Sequence, residues 1–303
     1  MGWTGPSNSR FGGVVSACYI FILVALPVAS AAAGDRSSPS IPPQQLIREV
    51  VTNELKPDPP GTTKFAYRDH KENAHGSQTE LLVEAKQTMV GLIVERDGRP
   101  LTAQEHENEL ARVRRFVNDP EELKKKEHRE KVDADHEAQI MRALPDAFVY
   151  TFAGKEDGHI DLGEEGVELI KLNFEPNPNY VPPTRVEQVL AGMKGFVLID
   201  PRENRLAEID GTLFRSVEFG WGILGRLEKG GHFIVKQADV GGDHWELTSM
   251  DLAFSGKILL VKNLKVQSKD VFSDFRPVPA NLTFAEGLEL LEKQQSELAQ
   301  NSH

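Results

Sequence analysis

Two stretches of this 303-residue chain carry letters that elsewhere do chemistry. Gly220-Trp221-Gly222-Ile223-Leu224-Gly225 has the glycine spacing of a dinucleotide-binding turn. Such a turn works only where it opens a helix whose N-terminus faces the pyrophosphate, inside a strand-helix-strand unit. Gly230-Gly231 follows too soon for that helix, so a glycine-rich β-turn is expected instead. Asp135-His136-Glu137-Ala138-Gln139-Ile140 begins like a zinc-protease helix, but Ile140 stands where the second histidine must be. His70 and His75 sit beside a turn, and His128 and His136 are two helical turns apart, too far to share one ion. The chain has no Gly-x-Ser-x-Gly elbow and no Gly-Lys-Ser/Thr phosphate loop. Carboxylates are numerous, but their spacing singles out no acid-base pair. No catalytic residue, metal or cofactor is assigned on these grounds.

Residues that could line a ligand site are aromatic or cationic positions in strand-like runs. Phe196, Leu198, Phe219, Phe233 and Trp245, with Trp221 beside them, suit either core packing or the wall of an apolar site. Arg215 is more pointed. Strict alternation puts it on the face of Leu213, Val217 and Phe219, so it either snorkels to a sheet edge or faces the interior and needs an anion.

The elements that must position these residues are mostly strands. From Lys194 to Val271 the chain reads as one β-meander: Phe196–Ile199, Arg205–Ile209, Thr212–Phe219, His232–Val240, Trp245–Phe254 and Lys257–Val266. Short turns rich in Gly, Pro, Asn and Asp separate the runs, and turns that short permit only antiparallel neighbours. Upstream, Thr63–His70, Thr79–Lys86 and Met89–Arg96 read as strands that form the first edge of the same sheet. Ala147–Phe152 and Val167–Phe174 are two more, followed by a proline-rich crossover from Glu175 to Pro183.

Helices read from caps and apolar stripes. Gln44–Leu55 has Leu46, Ile47, Val50, Val51 and Leu55 on one face. Thr102 with Glu105, Thr184 with Glu187 and Thr283 with Glu286 are capping boxes. They open helices at Thr102–Val117, at Arg185–Ala191 and toward Leu298. Asp119-Pro120-Glu121-Glu122 starts a further helix to about Leu144. Its alternating charges and sparse apolar residues predict a largely solvated surface, or a face for a partner. Residues 102–144 thus form a charged helical insertion. After the meander, Asp274–Ala280 reads as proline-broken coil.

The net charge of −11 disfavours nucleic acid and anionic headgroups as partners. Residues 1–33 have the layout of a cleaved secretory signal peptide: Arg10 is their only charge, Val14–Val28 is apolar, and Ala29–Ala33 is rich in small residues. Val15-Ser16-Ala17-Cys18 looks like a lipoprotein box, but the apolar run continues past Cys18, against lipidation there. Residues 34–43 are expected to be a flexible lead, and 44–303 a single β-rich domain without cysteine.

The succession of export signal, helix Gln44–Leu55, early strands, helical insertion and meander resembles the bacterial LolA-like lipoprotein-sorting proteins. The stretches carrying it are Gly195-Phe196-Val197-Leu198-Ile199-Asp200, Arg205 to Leu213, Trp245-Glu246-Leu247 and Gly256-Lys257-Ile258-Leu259-Leu260. The resemblance implies an α+β fold, a curved antiparallel sheet forming an incomplete β-barrel with helices covering the concave side. It also implies a non-enzymatic monomer of the periplasm or cell envelope that takes lipid acyl chains or lipoproteins into a hydrophobic cavity. Three functions follow from this: a carrier of an apolar ligand; a sensor or interaction protein on the same scaffold with a filled core, meeting an envelope protein through its charged helices; and a hydrolase of unrecognised site. An accessible cavity would mark the first, a solid interior the second, and polar residues clustered at strand ends the third.

Overall fold

The computed structural model describes residues 41–59, 61–86, 88–219, 225–258 and 262–301. The expected signal peptide, the lead as far as residue 40, Trp221 and the rest of the Gly220–Leu224 stretch lie outside them. Among the described residues there are five α-helices and thirteen strands, and the strands form one antiparallel sheet that does not close into a barrel. No helix of these residues is long and apolar enough to cross a membrane. The chain divides into two compact units that alternate along the sequence, one of Asp58–Glu137 with the stretch from Lys269 on, the other of residues up to Pro57 with Ala138–Ser268.

The first unit contains β1 (Lys64–Asn73), β2 (Gly76–Glu84), β3 (Met89–Arg96), β4 (Arg99–Pro100) and the end of β13 (Lys262–Val278), in the order β4-β3-β2-β1-β13. Ala66 pairs with Val83, Val83 with Val90, and Leu81 with Leu92, so these side chains share one face. On that face lie Val113 of α2 (Ala103–Asn118) and Phe284, Leu288 and Leu291 of α5 (Phe284–Asn301), forming one buried cluster. Both helices begin at predicted capping boxes. Thr102 accepts the Glu105 N–H at 3.3 Å while Glu105 accepts the Thr102 N–H at 2.8 Å. Thr283 and Glu286 repeat the pattern at the same two distances. The opposite face carries Phe65, Tyr67, Phe272 and Phe275, whose rings stack or meet edge-on at 5.2 to 6.3 Å. Asp274 has φ 58°, a local departure from the strand that matches Phe272 and Phe275, three apart, both reaching Tyr67.

In the second unit α1 (Pro43–Glu54) packs on β5 (Phe148–Asp157) and β8 (Arg205–Leu213). The order continues β13-β12-β11-β8-β7-β6-β5, with β6 at Glu168–Pro176, β7 at Met193–Asp200, β11 at His232–Asp239 and β12 at Trp245–Ile258. Short strands β9 (Val217–Phe219) and β10 (Gly225–Leu227) pair with each other, and β10 pairs with β12. Between β6 and β7 come α4 (Arg185–Gln188) and a 3-10 turn at Val189–Gly192.

The meander is therefore interrupted. The expected strand Thr212–Phe219 is split at Phe214-Arg215-Ser216, and β8 pairs with β11, leaving β9 and β10 as an excursion. Ser255-Gly256, read as a turn, lies inside β12, and the supposed coil after Asp274 extends β13 to Val278. The last helix before β5, α3 (Pro120–Ala147), is less solvated than its charges predicted, because Lys126, Glu130, Glu137, Met141, Ala143 and Leu144 are buried.

Candidate functional site

The residues expected to line a ligand do not share one wall. Cross-strand pairs put Phe196, Asp210 and Ile234 on one face of the second unit's sheet, and Gly195, Gly211 and Phe233 on the other. Leu198 and Trp245 belong to the first set, buried with Leu162, Leu169 and Ala207, and Phe196 packs at their margin under the Lys171 ammonium at 3.7 Å. Phe233 lies over Gly211, where an added Cβ would come 2.9 Å from its ring, so glycine is what lets the ring pack there. Phe219 is half-buried in β9. Of these aromatics Trp245 is buried, and Phe196, Phe219 and Phe233 are half-buried. Alternation assigned each strand its two faces but could not say which face of one strand matched which face of the next.

Among the described residues the helix-covered faces carry closely buried side chains. Leu46, Ile47 and Val50 of α1 are 1–3 % exposed, and Phe148, Leu172, Phe174, Val197 and Ile209 are buried strand residues of the same unit. In the first unit a space of about 20 Å³ remains beside α2, lined by Met89, Gly91, Val113, Phe116 and Phe284 with Glu80, Arg112 and Lys126. That is room for about one water.

Charge is concentrated in the first unit at two places. Along the outer edge of β3, side chains stand where another strand would. Glu109 accepts the Ile93 N–H at 3.0 Å, Arg112 donates to the Gly91 carbonyl at 3.2 Å, and Glu130 accepts the Met89 N–H at 3.4 Å and the Thr88 hydroxyl at 2.5 Å. Glu130 also pairs with buried Lys126. Behind this edge Asp69 and Asp270 flank Lys71, whose ammonium is 3.4 Å from one and 2.8 Å from the other. Burial pushes the Asp69 carboxyl up to about 7, against the pull of Lys71 and with the help of Asp270 and Glu80. A carboxyl with that value suits proton transfer, but Asp69 is 2 % exposed and Asp270 is fully buried, so no substrate atom reaches either.

A concave site with mixed chemistry in the second unit is an open groove of about 410 Å³ lined by Glu175, Pro176, Asn177, Pro178, Tyr180, Ala191, Lys194, Phe214 and Arg215. Three segments build it. Beyond β6 the chain turns at Asn177, whose side-chain oxygen accepts the Asn179 N–H at 3.0 Å, as asparagine favours. The 3-10 turn ends at Gly192, whose carbonyl accepts the Phe214 N–H at 3.0 Å. The break after Leu213 then turns Arg215 outward, so it is exposed and does not share the face of Leu213. Its guanidinium donates to the Ala191 carbonyl and lies 5.5 Å from the Phe214 ring, while the Lys194 ammonium lies 5.9 Å from the same ring. The Tyr180 hydroxyl donates to Glu187, and burial with that carboxylate raises the phenol above its ordinary value. Lys194, Phe214 and Tyr180 went unmarked in the sequence, because the strand break behind them contains neither glycine nor proline.

Among the described residues no group of His, Cys, Asp and Glu converges as a metal site. A comparison with models of protein families gives no match, and one with curated proteins gives none either.

Proposed function

We propose that this protein is an exported binding module of the cell envelope that recognises a ligand or partner on its surface and does not transform it. The observation that carries this reading is the close burial of side chains on the apolar faces among the described residues. Side chains of α1, α2 and α5 occupy the space over the sheet, and the gap beside α2 has room for about one water. A stored acyl chain of a dozen methylenes would be held by about 0.8 kcal/mol per methylene and needs several hundred Å³ of apolar space. Of the three functions, the interaction or sensor protein therefore takes first place over the carrier of an apolar ligand. The resemblance in layout to lipoprotein-sorting proteins and the features of residues 1–33 support an envelope location. The acidic surface, at net charge −11, favours a cationic protein partner over nucleic acid or an anionic membrane.

Native mass spectrometry of protein gently purified from its own envelope tests this. The expected species is a chain beginning between Ala32 and Gly34 without co-purified lipid. Lipid that is released only by organic extraction would return the carrier to first place, and an intact Met1 would overturn export.

A further inference from the structure

We propose that the groove of Lys194, Phe214 and Arg215 binds a small carboxylate carried on a flat apolar body, such as an aromatic acid, an inference that rests on the surface-recognition reading above. Two cations flank one ring, at 5.9 and 5.5 Å from its centre. Neither has a carboxylate within ion-pair distance among the described residues, although Glu175 lines the same groove. Arg215 is held in place by the Ala191 carbonyl and by Phe214. One side of its planar fork is thereby committed, and its remaining N–H groups can take both oxygens of a carboxylate without first losing much freedom.

The charge balance of the groove selects the anion. Lys194 and Arg215 face Glu175 in the lining, and Glu187 lies behind Tyr180, so the groove offers two local cations without a large positive excess, which matches a singly charged carboxylate better than a doubly charged phosphate. The rest of the lining is the polar Asn177 and the apolar or aromatic Pro176, Pro178, Ala191, Phe214 and the ring of Tyr180. A volume of about 410 Å³ lies at the lower end of the range for small-molecule sites and fits a ring with a short substituent. An anion over the face of Phe214 would meet its negative quadrupole, so the carboxylate is placed on the free N–H groups of Arg215, clear of the ring face, while the ligand's apolar body faces the prolines.

The test is titration of the full mature chain, followed by calorimetry and by amide shifts at residues 175–180, 191–194 and 214–215. The probes are benzoate, benzamide, acetate and inorganic phosphate. Benzoate is expected to bind saturably at one site, at least tenfold tighter than benzamide, which lacks the charge, and acetate, which lacks the ring. Phosphate is expected to be weaker than benzoate. Arg215→Gln and Lys194→Gln should each weaken benzoate about tenfold with an unchanged thermal midpoint, since both side chains are exposed, and Glu175→Gln should not weaken it. Equal binding of benzoate and benzamide, binding unaltered in both Gln variants, or stronger phosphate binding would overturn the assignment. Failure here with a lipid-free chain in native mass spectrometry removes only the carboxylate site. Lipid inside the chain removes the surface reading itself.

Discussion

Asp69 makes the stability of the first unit depend on pH in an unusual direction. Its carboxyl titrates near 7 in the folded chain against an ordinary value of 3.8, so over that interval the folded state holds a proton that the unfolded state has lost. Its contribution to stability therefore falls as pH rises from about 4 to 7 and is constant above. The facing groups are Lys71, Asp270 and Glu80, and the Lys71 ammonium is itself raised by the two aspartates. Glu105, lowered by Arg99 and its capping bonds, and Glu286, lowered by its capping bonds, act oppositely and lose their contribution as pH falls below the ordinary carboxyl value. The thermal midpoint should be higher at pH 5 than at pH 8. In Asp69→Asn that difference should shrink, and parallel midpoint curves for parent and variant would sink the argument. A second buried charge behaves more conventionally. Arg205 is 6 % exposed and has the Glu54 carboxylate 3.2 Å away, and Glu54 also accepts the Leu206 N–H at 2.9 Å. Glu54→Ala strands that guanidinium at the end of α1, and urea unfolding should show a loss of about 3 to 5 kcal/mol. A loss under about 1 kcal/mol would mean that water replaces the carboxylate.

Elements were legible where their signals are local. The predicted boxes at Thr102 and Thr283 are formed in full, and at Thr184 the hydroxyl accepts the Glu187 N–H, because a threonine and a glutamate three residues on need only the helix itself to meet. The apolar stripe of α1 points where its period required. Illegible were the features that depend on distant chain. The charges of Lys126 and Glu130 read as solvated, yet with Glu109 they close the edge of β3, and nothing in a helix sequence says that a strand edge lies beside it. Gly91 belongs to the same device, since a Cβ there would meet the Glu80 carboxylate at 2.2 Å. The groove depends on a strand break at Phe214-Arg215-Ser216 with no turn residue to announce it, so Arg215 was assigned to the wrong side by alternation alone. A test at this scale is Glu130→Ala. It removes acceptors from Thr88 and Met89 and leaves Lys126 without its carboxylate, so it should cost about 3 kcal/mol in chemical denaturation. The bared edge should also raise light scattering with protein concentration, and an equally soluble, equally stable variant would show that the edge needs no such cover.

At the scale of the whole molecule, the division that matters does not follow the chain. The early strands β1 to β3 belong to one edge of the sheet, as expected, and β13, from the end of the chain, is the strand that joins them to it. Because the first unit is assembled from two stretches separated by the second, no linker composition marks its boundary. Its core shows the consequence. Phe284, Leu288 and Leu291 of α5 are at most 5 % exposed against Ala66, Leu81, Val83, Val90 and Leu92. Each such large apolar side chain contributes about 1.5 to 3 kcal/mol on burial, so the three together approach the whole stability of an ordinary domain, about 5 to 15 kcal/mol. The contiguous fragment 58–137 should consequently lack cooperative thermal unfolding and protected amides, because β1 has no β13 beside it and one face of its strands is bare. Joining residues 269–301 to its end by a short Gly/Ser linker should restore both, since closing a loop costs far less than the recovered burial returns. In the joined form Leu291→Ala should cost about 2 to 5 kcal/mol, as in the full chain. A fragment 58–137 that folds cooperatively alone would show that α5 is an accessory to this unit's core and not part of it.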